Sequence, residues 1–290
     1  MNISESTKKQ FLKFQRNEIT EYHIYHRLAN VTRDAANREV LNRIAADEMR
    51  HYEQLKVATG QDVPPCRFQV WKYVLIARVL GLTFGIKLME SGEVTAQKSY
   101  GEYESSFAPA GFMASEEKDH ENELIGLLDE ERLRYTGSVV LGLNDALVEL
   151  TGALAGFTLA LQNTKLIAMT GAITGIAAAL SMATSEYLST KAEETEKHPL
   201  KASVYTGVAY IFTVLVLIAP YLIFKNYFVC LGITLTLGIL IIASFNYYIA
   251  VAKDLKFRKR FLEMTSLSLG VATVSFLVGF LLRKFTGIDI

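Results

Sequence analysis

Residues 227–252 read YFVCLGITLTLGILIIASFNYYIAVA, a run without a single Asp, Glu, Lys or Arg. A helix of roughly 20 mainly apolar residues crosses the hydrocarbon core of a bilayer. This run is long enough to do so and reads as a membrane span. Residues 202–224 and 264–282 are equally free of formal charge. Upstream, 139–161 and 166–188 have similar length but are rich in Gly and Ala and carry Asp145, Glu149 and Glu186. They are read as spans too, because their flanks and spacing repeat the pattern of the other three. Five spans thus fill residues 136–290.

The other end of the chain has a different composition. Residues 1–135 are dense in Lys, Arg, Asp and Glu, so the formal net charge of zero and the 50% hydrophobic content average over two unlike parts. A shift that sharp predicts two domains in different solvents. No nucleic-acid partner is expected. Residues 1–17 are polar and lack the apolar core of a signal peptide, which predicts a cytoplasmic N-terminal domain. Loop charge agrees with that orientation. The segment 253–263, on the inner side, carries Lys253, Lys256, Arg258, Lys259 and Arg260, whereas the two outer loops hold only Lys165 and Lys225. Arg283 and Lys284, at the outer end, run against the trend. Cys66 and Cys230 fall in different domains and form no metal or redox motif.

Residues 4–134 read as four long helices, with breaks at Pro64, Pro65 and Pro109 and with Asp34 and Ser115 as helix-starting residues. Four such helices make an all-α bundle. In chain order the helices offer Glu18, then Glu48-Met49-Arg50-His51, then Glu90 and Glu93, then Glu117-Lys118-Asp119-His120. Glu and His three apart share one helix face, so both reach one metal. Two such helices plus two single carboxylates form a ligand set for a pair of metals. Oxygen and imidazole donors suit iron, with manganese or zinc as alternatives. Glu21, Glu90 and Glu116 are read as solvated carboxylates or outer partners of the ligands.

Glu18 followed by Tyr25 and Leu28-Ala29, with Glu48-x-x-His51, Gly92-Glu93 and Glu117-x-x-His120, resembles the rubrerythrin branch of the ferritin-like family. The resemblance implies Glu18, Glu48, His51, Glu93, Glu117 and His120 as ligands of a di-iron centre. Rubrerythrins often carry a further carboxylate shortly after the one matching Glu93. Here that stretch is Val94-Thr95-Ala96, so the extra ligand is missing unless Glu90 replaces it. No Cys-x-x-Cys occurs, so the rubredoxin-like module is absent as well.

Ionisable groups inside spans are costly and by default mark a pathway. Asp145, Glu149, Gly152 and Gly156 step by 4, 3 and 4 along one helical stripe. Gly171, Gly175, Ala178, Met182 and Glu186 form a similar stripe on the next span. Small residues let helices approach closely. If the stripes face each other antiparallel, Asp145, Glu149, Met182 and Glu186 meet in the inner half of the membrane. Carboxylates with a thioether suit Fe(II) better than Mg or Ca, and the same carboxylates can carry protons.

Gly142-Leu143-Asn144-Asp145-Ala146-Leu147 and Ala179-Leu180-Ser181-Met182-Ala183-Thr184-Ser185-Glu186-Tyr187-Leu188-Ser189 resemble the vacuolar iron transporter family. That resemblance, over roughly 136–290, implies a dimer that moves Fe(II) out of the cytosol against protons, with Asp145, Met182 and Glu186 on the path. Family members usually insert a Glu-rich helical segment between the second and third spans. Here that connection is only 189–201, with Glu193, Glu194, Glu196 and His198. The whole order of domains is similar to the membrane-bound ferritin proteins of prokaryotes. The expectation is an iron exporter of the cell membrane whose cytoplasmic bundle captures, oxidises or senses iron. A membrane-anchored di-iron oxidase or peroxidase, and a Mn(II) exporter, stay open as alternatives, as does ferroxidase activity of the bundle.

Overall fold

The computed structural model describes residues 5–90, 109–126, 135–193, 197–253 and 255–286. Every element among them is a helix: α1 Glu5–Val31, α2 Ala35–Thr59, α3 Arg67–Leu80, α4 Leu82–Glu90, α5 Pro109–Gly126, α6 Thr136–Leu161, α7 Thr164–Ala192, α8 Pro199–Ile223, α9 Tyr227–Ala252 and α10 Phe257–Thr286. The chain divides into two compact units, 1–130 and 131–290.

In the first unit α1 and α2 pack along each other, α3 lies against α1, and α5 touches α2 and α4. Asp34 starts α2 as its sequence suggests, its side chain accepting from the Asn37 N–H. Gly60 ends the helix in the left-handed conformation, with its N–H donating to Lys56 O. The core is aliphatic, with Ile24, Leu28, Leu41, Ile44, Val70 and Val74 all buried. Two expectations change here. The third helix is broken at Gly81, whose φ of 108° is closed to most side chains. The break lets α4 lie close on α3, since a Cβ at Gly85 would come within 2.5 Å of Ala77 Cβ. Ser115 does not start a helix. The last described helix of the unit begins at Pro109, where a missing N–H costs nothing, and Ser115 lies inside it.

The second unit contains five helices long and apolar enough to cross a membrane. α9 has the expected bounds, and the other four helices start two to seven residues before the expected spans. The largest difference is α10, which starts at Phe257 and so takes Arg258, Lys259 and Arg260 out of the loop. α6 sits at the centre, in contact with the other four. Hydroxyls tie it to its neighbours, Thr206 Oγ1 donating to Ser138 O and Ser268 Oγ donating to Leu147 O.

The small-residue stripes do not face each other. On α6, a Cβ at Gly152 would meet Val271 Cγ1 at 2.8 Å, and Gly156 lies so close to α10 that a Cβ at Gly279 would strike its carbonyl oxygen. On α7, Gly175 receives Val214 of α8, and Gly171 takes Leu154 of α6 with Ile218 of α8. A glycine stripe specifies a close neighbour but carries no address. Here the bulk that fills each groove comes mostly from α10 and α8.

Candidate metal centre

In the first unit the candidate ligands occupy positions that belong to the core by helical period. The buried residues of α1 include Phe11, Phe14, Glu18, Tyr25 and Leu28, and those of α2 include Leu41, Ile44, Glu48, His51 and Leu55. On α5, Met113, His120 and Leu124 are buried and Glu117 is half-buried on the same face. Carboxylates set into apolar stripes are expensive unless something of opposite charge meets them.

What meets them is one another and two imidazoles. One ligand atom from each of Glu18, Glu48, His51 and Glu117 falls within a set no wider than 4.8 Å. His51 Nδ1 lies 3.3 Å from Glu18 Oε2, 3.5 Å from Glu117 Oε1 and 3.7 Å from Glu48 Oε2. His120 joins from the other side, its Nδ1 3.3 Å from Glu48 Oε1 and its ring centroid 6.2 Å from that of His51.

The outer nitrogens are held in a matching way. His51 Nε2 is 3.0 Å from Glu116 Oε2, and His120 Nε2 is 3.1 Å from Asp47 Oδ2. Both of those carboxylates are gathered by one Arg50 nitrogen, at 2.5 Å from Glu116 and 2.9 Å from Asp47. The outer carboxylates fix both rings so that each Nδ1 faces the cluster, where a bound cation would take the place of the Nδ1 proton. Asp47 and Arg50 had no assigned role from sequence, although both stand inside the stretch Asp47-Glu48-Met49-Arg50-His51. Their proximity to the motif was the available signal.

The electrostatics describe a site that retains protons. Burial pushes the Glu18 carboxyl up to about 8, with the Glu48 charge adding to the effect. Burial raises Glu117 in the same direction, and the Glu18 charge contributes. For His51, burial acts downward, but the Glu117, Glu18 and Glu48 carboxylates outweigh it and the pKa rises. His120 behaves alike, burial opposing and the Glu48 carboxylate prevailing, to about 9.

A divalent cation fits this donor set. Glu48 Oε2 and His120 Nδ1 are buried in the cluster, where each meets another ligand in an ion-pair contact but makes no well-formed hydrogen bond among the described residues. Three carboxylates and two imidazoles supply hard oxygen and borderline nitrogen donors of the kind iron, manganese and zinc accept. Glu93 lies outside the described residues. Glu90 closes α4, and Glu21 is buried on α1, where it lines a small polar cavity with Asn17, Thr20, Gln69 and Tyr73.

In the second unit Asp145 is half-buried on α6 and Glu149 lies exposed one turn further on. Tyr210, fully buried on α8, donates its hydroxyl to Glu149 Oε2 at 2.8 Å. Glu186, near the end of α7, accepts from Ser138 Oγ at 2.5 Å. Met182 packs against the buried apolar cluster of the unit. Among the described residues these acids do not form a single ligand-distance group. Glu149 turns to α8, while Glu186 turns to the start of α6. Tyr210 and Ser138 were not singled out by sequence, and a tyrosine or serine within an apolar run gives little signal by itself.

A model of the VIT family matches residues 136–198, which takes in α6, α7 and the connection that follows. No curated protein and no solved structure matches the chain. The match and the five apolar helices make the chain an integral membrane protein and point to membrane transport of metal ions.

Proposed function

We propose that this protein exports Fe(II) from the cytoplasm across the cell membrane in exchange for protons, as a homodimer whose N-terminal unit is a cytoplasmic ferritin-like di-iron bundle. The observation that carries the reading is the extent of the family match, which includes Asp145, Glu149, Met182 and Glu186 on two consecutive membrane helices. Acids at such depth are costly to keep and need a task. Asp145 and Glu149, one turn apart, offer carboxylates that exchange a cation against protons. Tyr210 holds Glu149 in place through its hydroxyl. Met182 adds a soft donor that favours Fe(II) over Mg or Ca.

The bundle supports a cytoplasmic task upstream of the membrane. Glu18, Glu48, His51, Glu117 and His120 would hold iron, with Glu93 as the sixth ligand of the expected set. When bound, the iron pair supplies one-electron chemistry at each metal, which suits oxidation or sensing of the cargo. The chain's own residues do the positioning: Asp47 and Glu116 fix the imidazoles, and Arg50 fixes both carboxylates.

The test is cellular iron. Cells expressing the protein under iron load should hold less iron than control cells, and Asp145→Asn should abolish the difference. Unchanged cell iron alongside oxygen consumption that survives Asp145→Asn would replace this reading with a membrane-anchored oxidase. Loss of manganese in place of iron would reassign the cargo.

A further inference from the structure

α3 has two apolar faces. Val70, Val74 and Ala77 point into the core of the first unit. On the opposite side Phe68, Trp71, Leu75 and Val79 step by 3, 4 and 4, which places them on one stripe. They are 43% to 67% exposed, and the Phe68 and Trp71 rings lie 6.2 Å apart. Outside α3, the exposed large apolar residues among the described part of this unit are only Val31, Val57 and Phe112. A contiguous apolar patch on a water-facing domain marks a surface that something covers.

The charges around the stripe say what kind of surface. By helical geometry Arg67 and Arg78 flank it on one side and Lys72 on the other. α3 contains no Asp or Glu at all. An apolar strip with aromatic rings, bordered on both sides by cations, matches the boundary between acyl chains and anionic headgroups. A second copy seated on the same face would bring two acid-free basic helices together, which like charge opposes. A bilayer is always at hand, because the same chain carries five membrane-crossing helices.

We propose that α3 is an interfacial helix, which seats Phe68, Trp71, Leu75 and Val79 in the surface of an anionic membrane while Arg67, Lys72 and Arg78 pair with lipid phosphates. The inference is independent of any metal in the bundle.

Trp71 is the only tryptophan in the chain, so its fluorescence reports on this patch without labelling. The experiment uses the full-length protein in vesicles of phosphatidylcholine and phosphatidylglycerol, some with acyl chains brominated at shallow or deep positions. An interfacial helix sits about 5–10 Å into the headgroup boundary, so shallow bromines should quench Trp71 most and aqueous iodide hardly at all. Arg67→Glu with Arg78→Glu, both on exposed positions, should reverse the pattern: bromine quenching falls and iodide quenching appears. Trp71 emission quenched by iodide and indifferent to brominated lipid would overturn the proposal by placing the face in water. Emission shielded from both quenchers would overturn it too, by placing a second copy or another protein surface over the stripe.

Discussion

Arg50 on α2 reaches Glu116 on α5 at 2.5 Å, a contact between residues 66 apart in sequence. The same guanidinium holds Asp47 at 2.9 Å, so one cation steadies the two carboxylates that orient His51 and His120. Arg50→Ala should therefore loosen both imidazoles without removing any ligand. Losing such an outer partner typically lowers metal affinity by about 10- to 100-fold. Titration of the purified protein with Mn(II) or Zn(II) measures it, and an unchanged affinity would show that Arg50 only decorates the surface.

The pH dependence of the metal-free bundle has a definite sign. Glu18 rises from its ordinary 4.5 to about 8, and His120 from 6.5 to about 9. Groups whose pKa is raised by folding stabilise the fold below their unfolded pKa, and that contribution is lost as pH climbs through the folded value. Thermal unfolding of the first unit should therefore move to lower temperature as pH rises from about 5 to about 9. A bound cation takes the place of those protons, so the stabilisation given by saturating Mn(II) should grow over the same range. A metal effect that shrinks with rising pH would argue against these ligands.

In the membrane unit, Gly279 is the position where space is tightest, because a Cβ there meets Gly156 O. Gly279→Ala should force α6 and α10 apart and destabilise the unit by about 1–3 kcal/mol, the usual cost of overpacking. Gly232, with nothing within 4 Å of a Cβ, serves as the control. Gly232→Ala should be neutral or slightly stabilising, since alanine is the better helix former. Detergent-solubilised melting curves would separate the two.

Tyr210→Phe keeps the buried ring and removes the hydroxyl that donates to Glu149. Metal flux should fall several-fold while metal binding by the bundle stays as in the wild type. Equal flux would mean that the Glu149 carboxylate needs no partner in its working position.

Much of this was legible before the fold was seen, and the reason is local. Glu48 and His51, or Glu117 and His120, share a face because of helical period alone, and five spans follow from length and polarity. What sequence missed depends on which helix lies beside which. Asp47 and Arg50 matter only because α5 brings His120 and Glu116 to α2, where Asp47 meets His120 and Arg50 bridges to Glu116. The glycine stripes were read correctly as close-packing faces, but their partners on α8 and α10 could not be told from spacing. The Gly81 break was visible in the sequence as a glycine within a helical run, a signal weaker than the prolines that bound the other helices. Ser115 misled because a polar residue ahead of Glu116-Glu117 looks like a helix start, while Pro109 at the true start reads as a breaker.

The most direct measurement of the central claim is Fe(II) movement in proteoliposomes of the purified protein under an imposed pH gradient, wild type beside Asp145→Asn. The account predicts Fe(II) flux driven by the gradient, accompanied by opposing proton movement, and lost with Asp145→Asn. Absence of flux under any gradient, in protein that still binds metal in its bundle, would contradict it.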